Sequence, residues 1–154
     1  MKVTLVQPNS ASVIKAVLET TGVPLGLAYL GAALREEHEV RIIDALTLDY
    51  DAEELKMELK KHEPDVVGIT ATTPAVYDSY EVGRLAKGLN PDVKTVIGGP
   101  HVTFMAKETL EDCPALDMVV RNEGELTFKE LLDAFKKGTP LKNIAGISFR
   151  KEGE

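Results

Sequence analysis

The sequence predicts an α/β domain of the doubly wound type, in which helices cover both faces of a parallel sheet. Short apolar runs of the strand type alternate with longer segments whose apolar residues recur every three or four positions. The run at residues 66–69 is almost continuously apolar, which is typical of a strand buried on both faces. With 154 residues, of which 44% are hydrophobic and 28% charged, the chain has the size of one domain with a substantial core.

The first half of the chain predicts three strands and two helices. The first helix has Leu27, Leu30 and Leu34 on one face, and Pro24 suits its first turn. The second helix begins at Asp51, which forms a capping-box pattern with the glutamate three residues later. In chain order we expect a strand at 3–7, a helix at 24–37, a strand at 40–43, a helix from 51 to about 62, and a strand at 65–70.

The second half continues the alternation. An Asn-Pro pair at 90–91 ends the third helix, and Gly138 is placed to cap the last helix, whose apolar residues recur at i, i+3, i+4 and i+7. In order we expect a helix at 76–89, a strand at 93–97, a short helix at 103–110, a strand at 117–120, a helix at 125–137 and an edge strand at 144–150. The pattern predicts a flavodoxin-like three-layer sandwich with five parallel strands in the order 2-1-3-4-5.

The charge and the cysteine content exclude several classes of function. The 25 acidic residues exceed the 18 basic ones, which gives a net charge of −7 and disfavours a nucleic acid as partner. The single cysteine, Cys113, allows no intramolecular disulfide and no cysteine cluster for zinc or an iron–sulfur centre. The sequence predicts neither a signal peptide nor a membrane-spanning run, so we expect a cytoplasmic protein that does not bind membranes.

Ligands of open α/β sheets bind beyond the carboxyl ends of the strands, where the strand order switches. Four segments are expected there, at residues 7–23, 70–75, 98–103 and 121–125. The first is much longer than the usual connection of about 2–6 residues, which indicates a binding loop or extra local structure, such as a short helix at 12–20.

Two of these segments carry residue types that suit a ligand. Thr70, Thr72 and Thr73 place three hydroxyls at one strand end, although Thr73 before Pro74 also suits a helix N-cap. Both interpretations stay open.

The next segment pairs two glycines, Gly98 and Gly99, which let the backbone approach a flat or bulky ligand, although one of them alone suits a tight turn. His101 follows them and is a candidate to bind a ligand or to cap a helix, whereas His38 and His62 are expected to be exposed to solvent at helix ends.

The sequence lacks the motifs of several competing sites. It contains neither the G-x-G-x-x-G of a dinucleotide site nor the G-x-x-x-x-G-K-[ST] of a nucleoside triphosphate site. A phosphoacceptor receiver domain of this fold would carry an aspartate after the third strand, where this chain has Thr70. We assign no catalytic residue and no metal ligand, since no nucleophile–base set is apparent.

Taken together, five stretches and a final strand resemble the amino-terminal cobalamin-binding domain of cobalamin-dependent radical S-adenosylmethionine enzymes. The resemblance covers nearly the whole chain through the order and spacing of these pieces. They are LVQP at 5–8, VPLGLAYL at 23–30, DVVGIT at 65–70, VIGGPHVT at 96–103, DMVVRNEGE at 117–125 and IAGISFR at 144–150.

The resemblance implies that the chain binds cobalamin, with the corrin over the carboxyl edge of the sheet and the nucleotide tail inside the domain. Carried over by position, Thr70, Thr72 and Thr73 contact the tail, and residues 9–12, including Asn9 and Ser10, lie near the lower face of the corrin. The remaining expected cofactor-binding residues are Gly98, Gly99, Pro100, His101, Glu123, Gly124 and Glu125.

Two departures refine this expectation. Cobalamin-dependent mutases carry D-x-H-x-x-G after the first strand, but here residues 7–12 read QPNSAS, so we expect no protein histidine beneath the cobalt. The C-x-x-x-C-x-x-C motif of a radical domain is also absent. We therefore expect residues 1–150 to be the binding domain and 151–154 to begin a linker to a radical domain in cis, which would hold the [4Fe-4S] cluster and S-adenosylmethionine.

This domain would position cobalamin for methyl transfer or modification of a carbon centre. Two alternatives from other classes stay open at this stage. One is a flavin- or nucleotide-binding domain that uses the same cleft, and the other is a regulatory or docking module without a small ligand.

Overall fold

A computed structural model of the chain describes residues 1–10 and 22–150. It contains a six-stranded sheet flanked by helices. The strands are β1 (Lys2–Gln7), β2 (Glu39–Asp44), β3 (Val66–Thr70), β4 (Lys94–Gly98), β5 (Met118–Val120) and β6 (Ile147–Phe149). The helices are α1 (Leu25–Leu34), α2 (Ala45–Leu48), α3 (Ala52–His62), α4 (Val76–Leu89), α5 (Pro100–Phe104), α6 (Ala106–Asp112) and α7 (Glu125–Lys137), with 3₁₀ turns at Thr73–Ala75 and Leu141–Asn143.

The strand order is β2-β1-β3-β4-β5-β6, which confirms the predicted 2-1-3-4-5 arrangement and the extra strand at its edge. The first five strands are parallel. β6 pairs antiparallel to β5, with Ile147 opposite Val120 and Phe149 opposite Met118. The carboxyl ends of β1 to β5 therefore lie along one edge of the sheet, which we call the carboxyl edge, and their beginnings lie along the opposite, amino edge.

The sheet separates two hydrophobic cores. Helices α3, α4 and α6 cover one face, where Val6, Val67 and Ile97 are fully or almost fully buried. Helices α1 and α7 cover the other face, where Leu5, Val96 and the helical leucines are buried. Alternate residues of one strand thus enter different cores, as the geometry of a β-strand requires.

Local signals set several helix ends as expected. Asp51 caps α3 through a full capping box, in which its side chain accepts from the Glu54 amide at 2.8 Å and the Glu54 carboxylate accepts from the Asp51 amide at 2.9 Å. Gly138 ends α7 in the left-handed region at φ 64°. Helices α4 and α7 have the predicted bounds. Helix α1 is shorter than the predicted 24–37, because Pro24 is its N-cap and Arg35 its C-cap.

Three predictions were wrong or incomplete. The short helix expected at 103–110 is two helices, α5 and α6, that meet at Met105. Thr73 does not cap a helix, because it begins a 3₁₀ turn and the residue before α4 is Ala75. His38 and His62 are buried rather than solvated, since each is only 7% exposed. The short helix expected at 12–20 lies outside the described residues.

None of the helices at residues 22–150 is both long and apolar enough to cross a membrane.

Candidate functional site

A cleft of about 150 Å³ opens at the carboxyl edge of the sheet. Its walls are the first half of α1, the beginning of α7 and the ends of β3, β4 and β5. The lining residues are Gly26, Leu27, Leu30, Gly68, Ile69, Thr70, Val96, Gly98, Gly99, Val120, Asn122, Glu123, Gly124, Glu125 and Phe128. The cleft therefore lies on the face of the sheet that α1 and α7 cover.

The interior of the cleft is apolar and its mouth is polar. Leu27, Val120 and Phe128 are buried side chains that form its inner surface. Thr70, Asn122, Glu123 and Glu125 supply the polar lining, and Asn122 and Glu123 are exposed to solvent. Such a site suits a ligand with one apolar end that enters and a polar part that stays at the rim.

Glycines form much of the wall, and at Gly99 glycine is required. Its φ of 107° and ψ of 176° lie in a region that is almost restricted to glycine. A Cβ atom built there would lie 2.6 Å from the Ala71 carbonyl oxygen. By contrast, a Cβ at Gly26 would meet no atom within 4 Å, so this glycine borders open space at the cleft.

Backbone hydrogen bonds join the loops behind the cleft. The Ala71 amide donates to the Gly98 carbonyl at 2.8 Å, and the His101 amide donates to the Ala71 carbonyl at 3.3 Å. On the other side, the Arg121 amide donates to the Gly146 carbonyl at 2.8 Å. The loops after β3 and β4 are thereby held together, as are those beside β5 and β6.

Half of the twelve residues predicted to bind the cofactor line this cleft. They are Thr70, Gly98, Gly99, Glu123, Gly124 and Glu125. Among the others, Thr72 and Thr73 follow the cleft residue Thr70 at the end of β3, and Pro100 and His101 begin α5 directly after the cleft residue Gly99. The His101 Nδ1 atom lies 3.1 Å from the Thr73 hydroxyl oxygen, so these two side chains are held against each other at the rim.

Asn9 and Ser10 lie elsewhere at the same edge. The Asn9 side-chain amide donates to the Asp49 carboxylate at 3.2 Å and to the Tyr50 carbonyl at 3.0 Å, which ties the loop after β1 to the segment before α3. Ser10 is buried. Asn9 lines a separate depression with Asp78, whose pKa is raised by burial and by the nearby Glu81.

Large apolar side chains are exposed around the carboxyl edge. Leu126 at the beginning of α7 is 78% exposed, and Phe104 at the end of α5 is 84% exposed. Val23, Leu25, Tyr29, Leu48, Tyr77 and Met105 are also exposed, and each belongs to a segment that follows a parallel strand. Exposed apolar groups that share one edge are typical of a surface that binds a ligand or another protein.

Sequence reasoning missed the α1 and α7 side of the cleft. The sequence pattern predicts only that these residues belong to helices, in the case of Gly26, Leu27, Leu30 and Phe128, or to a strand, in the case of Gly68. One signal was available, because an isolated glycine inside a strand indicates a close approach. At Gly68 the groups that come close are side chains of the protein and not a ligand, since a Cβ there would lie 2.7 Å from Leu5 Cδ2 and 3.1 Å from Phe128 Cζ.

Comparison with known protein families gives the context of this cleft. Residues 11–132 match the family described as the B12 binding domain. This chain belongs to the B12-binding domain family. The resemblance noted in the sequence and the flavodoxin-like fold are both confirmed by this membership.

Individual relatives of this B12-binding domain are longer proteins. This chain is 54% identical to the uncharacterized methyltransferase PH0819 of Pyrococcus horikoshii. The match covers all of this chain and 34% of the methyltransferase. The chain is 36% identical to the anaerobic magnesium-protoporphyrin IX monomethyl ester cyclase of Rubrivivax gelatinosus, with 97% of this chain and 28% of the cyclase covered. The chain thus spans about a third of the length of these curated relatives.

A solved structure resembles this B12-binding domain closely. The cobalamin-dependent S-adenosylmethionine radical enzyme OxsB, with aqua-cobalamin and S-adenosylmethionine bound, superposes with a TM-score of 0.82 at 25% identity. The match covers 99% of this chain and 21% of the OxsB chain.

The residues of the cleft fit a cobalamin. The apolar interior, with the Phe128 ring, suits an aromatic base, and the wall glycines leave room for a tail beside the backbone. The Thr70 hydroxyl can donate to a ribose or phosphate oxygen, and the carboxylates of Glu123 and Glu125 can accept from the amide groups of a corrin.

Proposed function

We propose that this B12-binding domain binds cobalamin at the carboxyl edge of its sheet. The nucleotide tail enters the cleft between α1 and α7, and the corrin lies over the rim. The single observation that carries the proposal is the cleft itself, which has an apolar interior, a polar mouth and walls of glycine.

The exposed apolar side chains support the position of the corrin. A corrin is a broad ring with an apolar face and amide substituents, so it needs a wide surface rather than a deep pocket. Leu25 and Leu126 stand at the beginnings of the two helices that border the cleft, and both are largely exposed. Covering such groups removes apolar surface from water, which favours binding at about 25 cal/mol per Å².

The cobalt of the bound cofactor has no protein histidine beneath it in this proposal. The chain has three histidines, and none stands between Gln7 and Glu37, where the loop after β1 would supply one. His62 is buried at the end of α3, and His38 is buried just before β2, so both lie at the amino edge. His101 is held against Thr73 in the rim.

The domain would act within a longer enzyme. The relatives are about three times as long as this chain, and they include methyltransferases and a cyclase. We propose that residues 1–150 form the cofactor-binding domain and that 151–154 lead towards a radical S-adenosylmethionine domain in cis, which holds the [4Fe-4S] cluster. The bound cofactor would supply cobalt-centred chemistry for methyl transfer or modification of a carbon centre, and this domain its binding and orientation.

The first experiment measures retention of the cofactor. The chain of residues 1–154 is mixed with hydroxocobalamin, desalted, and examined by visible absorption, with flavin mononucleotide in a parallel sample. We expect the corrinoid spectrum to remain with the protein and the flavin to be lost. Loss of the corrinoid with retention of the flavin would replace this proposal with a flavin-binding one, and loss of both would overturn it.

The second experiment fills the cleft. Gly26→Leu places a side chain in open space beside the cleft, where a Cβ meets no protein atom within 4 Å, and it should reduce cobalamin affinity at least about tenfold. The matched control is Gly88→Leu on α4, where a Cβ also meets nothing within 4 Å but which is outside the cleft lining. Equal affinities of the two variants would exclude the cleft as the site of the tail.

The third experiment tests the axial ligand. Chain labelled uniformly with ¹⁵N is loaded with cobalamin, and the cobalt is reduced to its paramagnetic Co(II) form for electron paramagnetic resonance. We expect no hyperfine splitting from nitrogen. A two-line splitting would identify a protein nitrogen as ligand, and a three-line splitting would identify the cofactor's own unlabelled base.

A further inference from the structure

We infer that the Thr103 side chain is a positioning residue that sets the shape of the cleft without lining it. This inference rests on the proposed function, since it concerns the same site. Thr103 belongs to α5 and is half-buried, and it is absent from the residues that face the cleft.

The hydroxyl of Thr103 joins two walls of the cleft. It donates to the Gly99 carbonyl oxygen at 3.0 Å, and it accepts from the Asn122 backbone amide at 3.0 Å. Gly99 belongs to the loop after β4, and Asn122 belongs to the loop after β5, and both line the cleft. One side-chain oxygen therefore fixes the distance between the two loops.

Both partners have backbone conformations that need external support. Gly99 has φ 107°, and Asn122 has φ 61°, which lies in the left-handed region that non-glycine residues rarely adopt. Such conformations persist when surrounding contacts hold them. The Thr103 hydroxyl contacts the carbonyl of one and the amide of the other, so it holds both at once.

The bridge completes a chain of hydrogen bonds along the edge. Backbone hydrogen bonds connect the loop after β3 to the loop after β4, and the β5 loop to Gly146 before β6. The gap between the β4 and β5 loops is spanned by the Thr103 side chain. Removing its hydroxyl should let these two walls separate while the rest of the edge stays connected.

The consequence for binding concerns the part of the ligand that enters the cleft. If the walls separate, the tail loses its contacts, whereas the corrin over the rim does not. Cobinamide is a corrinoid without the nucleotide tail, so it reports on the rim alone. The preference of the domain for cobalamin over cobinamide is therefore the quantity that Thr103 controls.

The test uses the chain of residues 1–154 and titrations with cobalamin and cobinamide. Thr103→Val keeps the shape but lacks the hydroxyl, and we expect cobalamin affinity to fall about tenfold with little change for cobinamide. Thr103→Ser keeps the hydroxyl and should restore the preference. Thr127→Val on α7 is the matched control, because the Thr127 hydroxyl bonds, among the residues that the structure describes, only the Ala145 carbonyl outside the cleft, at 3.5 Å.

The outcomes separate this inference from the proposed function. If the unmodified chain binds no cobalamin, the proposed function fails. If the unmodified chain binds and Thr103→Val weakens both corrinoids equally, or neither, the positioning role is wrong. A measurement without ligand completes the test: hydrogen exchange of the Asn122 amide should be faster in Thr103→Val than in Thr103→Ser, and equal rates would show that the bridge does not hold this loop.

Discussion

At the amino edge of the sheet several polar side chains bind one another, whereas at the carboxyl edge large apolar side chains are exposed and the backbone itself lines a cleft. At the amino edge the buried His62 ring joins two elements, with Nδ1 at 2.6 Å from the Thr4 hydroxyl and Nε2 at 3.3 Å from the Glu39 carboxylate. At the carboxyl edge, by contrast, the apolar side chains of Phe104 and Leu126 are exposed to solvent.

The amino edge is connected strand by strand. The Lys2 amide donates to the Asp65 carboxylate at 2.8 Å, which links the beginnings of β1 and β3. Asp117 accepts from the Thr95 amide at 2.8 Å and lies 2.8 Å from the Lys87 ammonium, which links β4, β5 and α4. Each of these bonds satisfies a polar group within the protein.

The comparison suggests the hypothesis that the two edges of the sheet contribute to different properties of the domain. We expect the internal polar bonds of the amino edge to contribute mainly to stability, and the uncovered backbone and apolar groups of the carboxyl edge to contribute mainly to binding. Substitutions at the two edges should therefore separate the two properties. Changes at the carboxyl edge should affect cofactor affinity, whereas changes at the amino edge should affect the free energy of unfolding alone.

The largest expected effect is at Gly99. Gly99→Ala places a Cβ at φ 107° and 2.6 Å from the Ala71 carbonyl oxygen, so it should lower the free energy of unfolding by about 1–3 kcal/mol or more and abolish cobalamin retention. Urea denaturation and desalting with the corrinoid measure both effects.

Two other glycines serve as controls for Gly99→Ala. Gly98→Ala meets only the Val120 carbonyl oxygen at 3.4 Å and should fold normally. Gly88→Ala, exposed on α4, should raise stability by about 1 kcal/mol. Normal folding and binding in Gly99→Ala would contradict the assigned conformation.

The difference between the edges also explains what the sequence could predict. The parallel core followed from local patterns, because apolar runs and the Asp51 capping box act within a few residues. The cleft residues at strand ends, such as Thr70 and Gly98, followed from topology, since parallel strands share one edge.

Features that depend on packing between distant segments were not predictable in this way. Phe128 lines the cleft because α7 packs beside α1, and no local pattern specifies that contact. His62 was expected in solvent because it ends an amphipathic helix, yet its ring is buried against Thr4, which is 58 residues away. The Asn9 side chain is bonded to Asp49 and Tyr50, contacts that no local pattern specifies, and its expected place near the corrin stays a prediction.

The second prediction tests the amino edge at Thr4. Thr4→Val keeps the shape of a fully buried side chain but removes the hydroxyl that bonds His62 Nδ1, so a buried polar atom loses its partner. The free energy of unfolding should fall by about 1–2 kcal/mol. Cobalamin affinity should stay unchanged, and Thr4→Ser should recover most of the stability. A loss of affinity at constant stability would remove the proposed division between the edges.

The third prediction concerns the end of β6. The Arg150 guanidinium donates to the carbonyl oxygens of Leu110 at 3.1 Å and Pro114 at 2.8 Å, which fastens the antiparallel strand to the segment before β5. Arg150→Met should therefore cost about 1 kcal/mol in urea denaturation. Arg84→Met is the matched control, since the Arg84 side chain makes an exposed ion pair with Glu81 on the same helix, and the substitution should be nearly neutral.

The smallest expected effect is the pH dependence that His38 contributes. Its ring is buried, and neither nitrogen has a hydrogen-bond partner among residues 1–10 and 22–150. Burial lowers the pKa of His38, with Lys136 acting in the same direction. The unfolded chain, with a histidine pKa of about 6.5, therefore takes up a proton before the folded chain does. The contribution of the neutral His38 ring to the free energy of unfolding is therefore fully present above about pH 6.5. It declines as the pH falls towards the lowered pKa of the folded state.

Urea denaturation at several pH values between neutrality and pH 5 measures this effect. His38→Leu removes the titrating ring, so its free energy of unfolding should fall less steeply than that of the unmodified chain over this interval. His101→Leu is the comparison at the other edge, where the ring is only partly buried and already contacts Thr73. Parallel curves for His38→Leu and the unmodified chain would mean that the His38 ring gains a proton in the folded state as readily as in the unfolded one.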